Sequence, residues 1–252
     1  MNRIYQGFAM GLLLLIAGCN GSSDSADASG TTDSTGGSRA RMTLLGDYLY
    51  TISGADVQLM DVSTPEEPNF WNKIRLAWDI ETLFPYGDYL LVGSETGVHI
   101  LDNSTVGSPQ HLSEFTHARS CDPVVAANDI GYVTLNASAQ CWSRTASSQL
   151  DVLDLSDMSN PTLIKTYPMQ EPTGLAVSGQ WLFICDGRAG LKVFDNTDPL
   201  NLEVQDKLAD VNCFDVIAKD DTLYISTSDK LLQYDYSSLP LTLISEYQVG
   251  GG

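Results

Sequence analysis

Beyond residue 40 the chain alternates short apolar runs with polar pairs, and the alternation repeats. The polar pairs Gly46-Asp47, Gly87-Asp88, Asn128-Asp129, Gly179-Gln180 and Asp220-Asp221 each precede an aromatic or β-branched run. Such pairs suit two-residue hairpins, whose backbone needs positive φ. Their second members fall at 47, 88, 129, 180 and 221, giving spacings of 41, 41, 51 and 41 residues. The runs that follow, such as Tyr48-Leu49-Tyr50-Thr51-Ile52 and Trp181-Leu182-Phe183-Ile184, have strand composition.

After each of these runs a second turn leads to another strand ending in aspartate, at Asp61, Asp102, Asp154, Asp195 and Asp235. A polar turn and a further strand, such as Thr162 to Tyr167, complete the unit. Four short strands per unit of roughly 40 residues predict a β-propeller blade. A lone four-stranded sheet cannot hide both faces, but a succession of sheets covers each with its neighbours. The fold class is therefore all-β: a β-propeller of five blades, each of four antiparallel strands, with almost no helix. Ring closure would set the strand near Arg41 beside the sheet near Tyr247, although no strand exchange across that seam is legible. An open or larger assembly is the alternative.

The pattern Gly-Leu-x-Val-x-Asp followed by Ser/Thr and Pro resembles the LVIVD repeat of bacterial exported proteins. Gly190-Leu191-Lys192-Val193-Phe194-Asp195 carries it best, and Val57 to Pro65 carries it in the first copy. The fifth copy departs most, with Tyr236-Ser237 at the turn and no glycine before Leu231. The resemblance covers residues 39–248 and implies a propeller at the cell surface; it implies no common activity.

The N-terminus reads differently. A short head with Arg3 precedes the apolar run Phe8 to Ile16. That run is too short for a membrane span of about 20 residues and suits an export signal. Ile16-Ala17-Gly18-Cys19 resembles the bacterial lipobox, which implies cleavage before Cys19, acylation of its thiol (palmitate among the chains) and a lipid-bilayer partner. An ordinary signal peptide with an incidental cysteine is the alternative. Asn20 in place of aspartate implies an outer-membrane lipoprotein of the cell envelope, facing periplasm or surface. Residues 20–38 hold no large apolar side chain and predict a tether. The domain reading is a signal peptide at 1–18, lipidated Cys19 and flexible tether at 19–38, and the propeller at 39–252.

Composition narrows the partners. Among 252 residues, 32 acids against 13 bases give a net charge of -19, which excludes a nucleic-acid partner. Cysteines 121, 141, 185 and 213 remain for an oxidising compartment and predict disulfides. Four cysteines allow three pairings. The blade arrangement favours Cys121 with Cys141, pinning an insertion in the third repeat, and Cys185 with Cys213, tying blade four to blade five. Zinc is the rival reading, but the spacings are not those of a zinc site.

The insertion lies around residues 136–148, where the distance from turn to terminal aspartate is 25 residues against 14 in repeats one and two. In a propeller it shares a face with the inter-blade connections. Candidate binding residues on that face are Trp78, Asp79, Glu81, Arg119, Asp122, Trp142, Arg144, Glu171, Asp186, Arg188 and Asp215, with Arg39 and Arg41 nearby. An acidic, aromatic mouth suits a basic partner or a cation; a solvated rim with local salt bridges is the plain alternative. The terminal aspartates read as turn caps. His99, His111 and His117 fit no triad or metal motif, and the glycines at 187 and 190 build a turn rather than a phosphate loop. No catalytic set, metal site or cofactor is implied. The functional expectation is a non-catalytic, membrane-anchored scaffold binding a protein or polymer at the cell envelope; the alternative is an ion-dependent sensor or enzyme using the acidic mouth.

Overall fold

A computed structural model describes residues 37–76, 79–117, 123–137 and 147–249. Blade one contains β1 (Met42–Leu45), β2 (Tyr48–Ser53), β3 (Asp56–Asp61) and β4 (Asn69–Arg75). Blade two contains β5 (Ile80–Tyr86), β6 (Tyr89–Ser94), β7 (Gly97–Asp102) and β8 (Gln110–Thr116). Blade three contains β9 (Val124–Ala127), β10 (Ile130–Leu135), β11 (Gln149–Asp154) and β12 (Thr162–Pro168). Blade four contains β13 (Pro172–Ser178), β14 (Trp181–Asp186), β15 (Leu191–Asp195) and β16 (Glu203–Leu208). Blade five contains β17 (Cys213–Lys219), β18 (Thr222–Thr227), β19 (Lys230–Asp235) and β20 (Thr242–Gln248). Each blade is an antiparallel meander in sequence order, so the expected five-bladed β-propeller is the fold. A single 3-10 turn, Gly187–Ala189, interrupts blade four between β14 and β15. No helix among the described residues is long and apolar enough to cross a membrane.

The turn chemistry behaves as the backbone requires. Asn128 and Asp129 both have positive φ, as do Asp220 and Asp221, matching type I′ hairpins. In the Gly-first pairs, among the residues with positive φ, only Gly46, Gly87 and Gly179 appear, matching type II′. The terminal aspartates are turn caps. Asp61, Asp102, Asp154 and Asp195 each accept the N–H two residues on at 2.9 Å, and Asp235 does so at 2.8 Å. Hydrogen bonds from Ser63, Ser104, Ser156, Thr197 and Ser237 hold these carboxyls below their usual range.

Burial distinguishes the end blades from the middle ones. β6, β10 and β14 are buried along almost their whole length, because both sheet faces are covered. In blade one, Tyr50 is buried on one face while Leu49 and Thr51 on the other are not. In blade five the order reverses: Leu223 and Ile225 are buried, and Tyr224 and Ser226 are not. No blade among the described residues covers the outer face of blade one or of blade five. Among the described residues, the core clusters join blades one and two, two to four, and four and five, and none joins five to one. The expected closure near Arg41 and Tyr247 is therefore corrected: the two end sheets do not cover each other, and the propeller is open at that seam. The fifth repeat shows why sequence misleads here, since a complete strand pattern does not reveal whether a neighbouring sheet exists.

Candidate functional site

Ahead of β1, Gly37 to Ala40 turn back on themselves through the Ala40 N–H to Gly37 O bond of 3.0 Å. Ser38 Oγ donates to Asp215 on β17 at 3.2 Å and accepts the Leu175 N–H from β13 at 2.8 Å. Ala40 O accepts the Leu83 N–H from β5 at 2.8 Å. One turn thus bonds to the inner strands of blades two, four and five, which places it at the centre of the open propeller. Ser38 is 1% exposed there. A Cβ on Gly37 would collide with the Asp215 carboxylate, so any larger residue here must displace that side chain. The sequence reading places Gly37 and Ser38 in the tether because their side chains are small and polar. Small size is what lets them enter the channel.

The predicted mouth residues separate into three groups. Asp79 lies exposed just before β5 with φ of 65°, and Glu81 is half-buried in β5. Glu171 is exposed before β13, and Arg188 is exposed on the 3-10 turn. Asp215 and Asp186 are internal. Burial pushes the Asp215 carboxyl up, against the opposing pull of the Val216 amide, the Ser38 hydroxyl and the Arg39 charge. Asp186 is fully buried and occupied. One oxygen accepts the N–H groups of Gln170 and Glu171 at 2.8 and 2.9 Å, and the other meets Lys192 Nζ at 2.6 Å. Its carboxylate holds the entry to β13 rather than facing solvent. Trp78, Arg119, Asp122, Trp142 and Arg144 lie outside the described residues, as do Cys19, Cys121 and Cys141.

The disulfide Cys185–Cys213 is present, with Cα atoms 5.4 Å apart across 28 positions. It joins the end of β14 to the start of β17, the blade-four to blade-five link expected from the sequence. Both cysteines are buried in the apolar cluster of those blades.

Among the described residues, the two end blades each present a sheet face that no neighbouring blade covers. At each internal junction, side chains of one blade reach into the turn after the third strand, or the hairpin, of the next. Tyr50 OH donates to Asn103 Oδ1 at 2.7 Å and accepts the Gly107 N–H at 2.8 Å, while Trp71 Nε1 donates to Gly107 O at 2.9 Å. Tyr86 OH meets Asp129, and Ser113 Oγ donates to Met158 O at 2.5 Å. Tyr167 OH donates to Pro199 O at 3.0 Å and accepts the Leu202 N–H at 2.9 Å.

By register, Tyr224 of blade five stands where Tyr50 does, and Tyr247 stands where Tyr167 does. Leu231 stands where the buried Val57, Val98, Leu150 and Leu191 do. Tyr247 is 70% exposed. Blade one offers the matching half: the turn after β3, residues 62–68, is largely exposed where its counterparts contain buried Asn103, Met158 and Leu202. Beside it, Met42 and Leu44 are 64% and 60% exposed. Their face also carries Leu49 and Met60, the counterparts of Leu90 and Leu101 in blade two, which are fully buried.

A third feature was not legible in the sequence. On blade two, His99 of β7 approaches His111 and Glu114 of β8, with one ligand atom from each lying within 4.8 Å of the others. Residues three apart on a regular strand face opposite ways. Here the register shifts between Ile100 and Leu101, so His111 pairs with Leu101 and Glu114 with His99, on one face. Knowing of that bulge would have revealed the cluster.

The comparisons agree with this architecture. A sequence model of the LVIVD repeat matches residues 146–168 and 172–204, in blades three and four. No curated protein matches the chain. A functionally unknown protein from Desulfotomaculum acetoxidans superposes with a TM-score of 0.66 at 8% identity, over 83% of this chain and 70% of that one. The periplasmic gluconolactonase PpgL of Pseudomonas aeruginosa gives 0.62 at 13% identity, over 81% and 68%. The β-propeller domain of Cps50 (Swd1) from Myceliophteria thermophila gives 0.62 at 15%, over 84% and 72%. The chain spans 60–72% of the length of eight solved structures that it matches. At these identities the likeness is one of fold.

Proposed function

We propose that the chain is an envelope-anchored, non-catalytic scaffold whose partner is a protein docking on the end blades, and that a second copy of the chain is the first such partner. The observation that carries this reading is that Tyr224, Leu231 and Tyr247 on blade five, and the exposed turn and apolar face of blade one, lack the covering sheet that their register counterparts have at the internal junctions. The same kinds of side chain meet at the internal junctions. The register equivalence of these side chains to ones that meet a neighbouring sheet favours a protein sheet over a polymer. Such a contact is heterologous, so copies would add head to tail, forming a filament or a larger ring. The lipobox resemblance supplies the anchor, with acyl chains on Cys19 contributing about 0.8 kcal/mol per buried methylene. Residues 20 to 36 supply reach. The channel turn at Ser38 supports a binding role over chemistry at the mouth, because backbone and a hydroxyl take up the space where a substrate would sit.

Sedimentation velocity on the detergent-solubilised lipoprotein tests this. The wild type is expected to grow in size with concentration. Tyr247→Asp and Leu44→Asp, both at exposed positions, are each expected to remain monomeric. Mixed together, the two variants retain one intact end each and should form a pair that grows no further. A wild type that stays monomeric throughout would remove the second copy as partner. Separately, labelled palmitate should enter the wild type and not Cys19→Ser; equal labelling would remove the anchor.

A further inference from the structure

The cluster on blade two carries an inference that the scaffold reading does not require. His99 is 3% exposed, and neither of its ring nitrogens has a hydrogen-bond partner. A buried polar group left without a partner costs about 1–3 kcal/mol, so native structures rarely keep one. The equivalent positions in the next two blades are satisfied. Asp151 accepts from Gln149 Nε2 at 2.8 Å and Thr166 Oγ1 at 2.7 Å, and Lys192 binds Asp186. His99 instead has its Nδ1 3.5 Å from Glu114 Oε2 and its ring 5.7 Å, edge-on, from that of His111. An unprotonated imidazole nitrogen has a lone pair to donate to a metal ion.

We propose that His99, His111 and Glu114 form a binding site for a first-row divalent cation, Zn2+ foremost. Two imidazoles and one carboxylate suit zinc, which binds such donors at about 2.0–2.2 Å and so holds them roughly 3.3 Å apart. The 3.5 Å separation of His99 and Glu114 is already on that scale. The ion would give one buried nitrogen of His99 its missing partner. Calcium and magnesium prefer all-oxygen shells and are disfavoured. His111 and Glu114 are exposed, so a fourth coordination position faces solvent and can hold water or a donor from another protein.

The test is titration of the purified full-length lipoprotein with Zn2+ against a chromophoric chelator, in excess Mg2+ to silence the many surface acids. About one equivalent should bind, and His111→Ala and Glu114→Gln should each weaken it by roughly tenfold or more, the scale on which even supporting residues of metal sites act. Both variants alter exposed side chains, and equal melting temperatures in EDTA would show that they fold. X-ray absorption of the zinc-loaded protein should show nitrogen and oxygen neighbours alone. Absence of binding, affinity unchanged in both variants, or sulfur in the shell, which would assign the ion to cysteines, overturns the proposal.

Discussion

Ser38 and Asp215, separated by 177 positions, meet at 3.2 Å in the middle of the propeller. The same hydroxyl accepts the amide of Leu175, a residue with no exposure. One small side chain thus connects blades four and five to the segment that precedes β1. Removing it leaves a buried N–H without an acceptor. Ser38→Ala should destabilise the propeller by about 1–3 kcal/mol. The midpoint of urea unfolding reads this directly, and an unchanged midpoint would mean that the turn is not docked.

Asp215 should make stability depend on pH in the direction opposite to that of the turn aspartates. Burial raises its carboxyl above the unfolded value of about 3.9, so in the window between the two the folded state binds more protons. Stability from this group is greatest below that window and falls as pH rises through it. Asp61, Asp102, Asp154, Asp195 and Asp235 are shifted down, so their contribution is present above the unfolded value and fades on acidification. Asp215→Asn retains an acceptor for Ser38 and Val216 without the buried charge. Its melting temperature relative to wild type should rise between pH 3 and pH 7, and a constant difference would refute the assignment.

The blades were readable in the sequence because local geometry dictates them. Two-residue hairpins need positive φ, so Gly46, Asn128 and Asp220 announce their turns. The aspartates ending the third strands announce the next turns through short bonds to their own backbone. The Cys185–Cys213 link followed once blades were placed in order. What escaped the sequence depends on partners distant in the chain or on irregularity. Leu44 and Tyr247 read as ordinary strand residues, because exposure is set by the sheet alongside and not by the strand. His111 and Glu114 read as residues on opposite faces until the bulge at Ile100 and Leu101 is known. Gly37 and Ser38 read as tether, since polar smallness has the same appearance in solvent and in a narrow channel.

The disulfide should matter most for blade five, which has a neighbour on one side only. Closing a loop of 28 positions removes chain entropy from the unfolded state, a contribution of about 2–4 kcal/mol. Cys185→Ala combined with Cys213→Ala should lower unfolding free energy by at least that amount, since both sites are also packed. Hydrogen exchange should show the loss first in β18 to β20. Uniform loosening across all blades would mean that blade five does not open as a unit.

Asp186 supplies the sharpest separation of architecture from binding. Its carboxylate is fully buried and shared among two amides and Lys192, whose side chain is 18% exposed. Losing one partner of such a pair leaves the other charge uncompensated, at a cost of about 3–5 kcal/mol. Asp186→Asn would strand the Lys192 ammonium, and Lys192→Met would strand the carboxylate. The double variant removes both charges while keeping an amide oxygen for Gln170 and Glu171. It should therefore be more stable than the sum of the single losses implies, a coupling that a double-mutant cycle measures by chemical denaturation. Additive losses would show that the ion pair contributes nothing, and that the two backbone bonds alone make Asp186 structural.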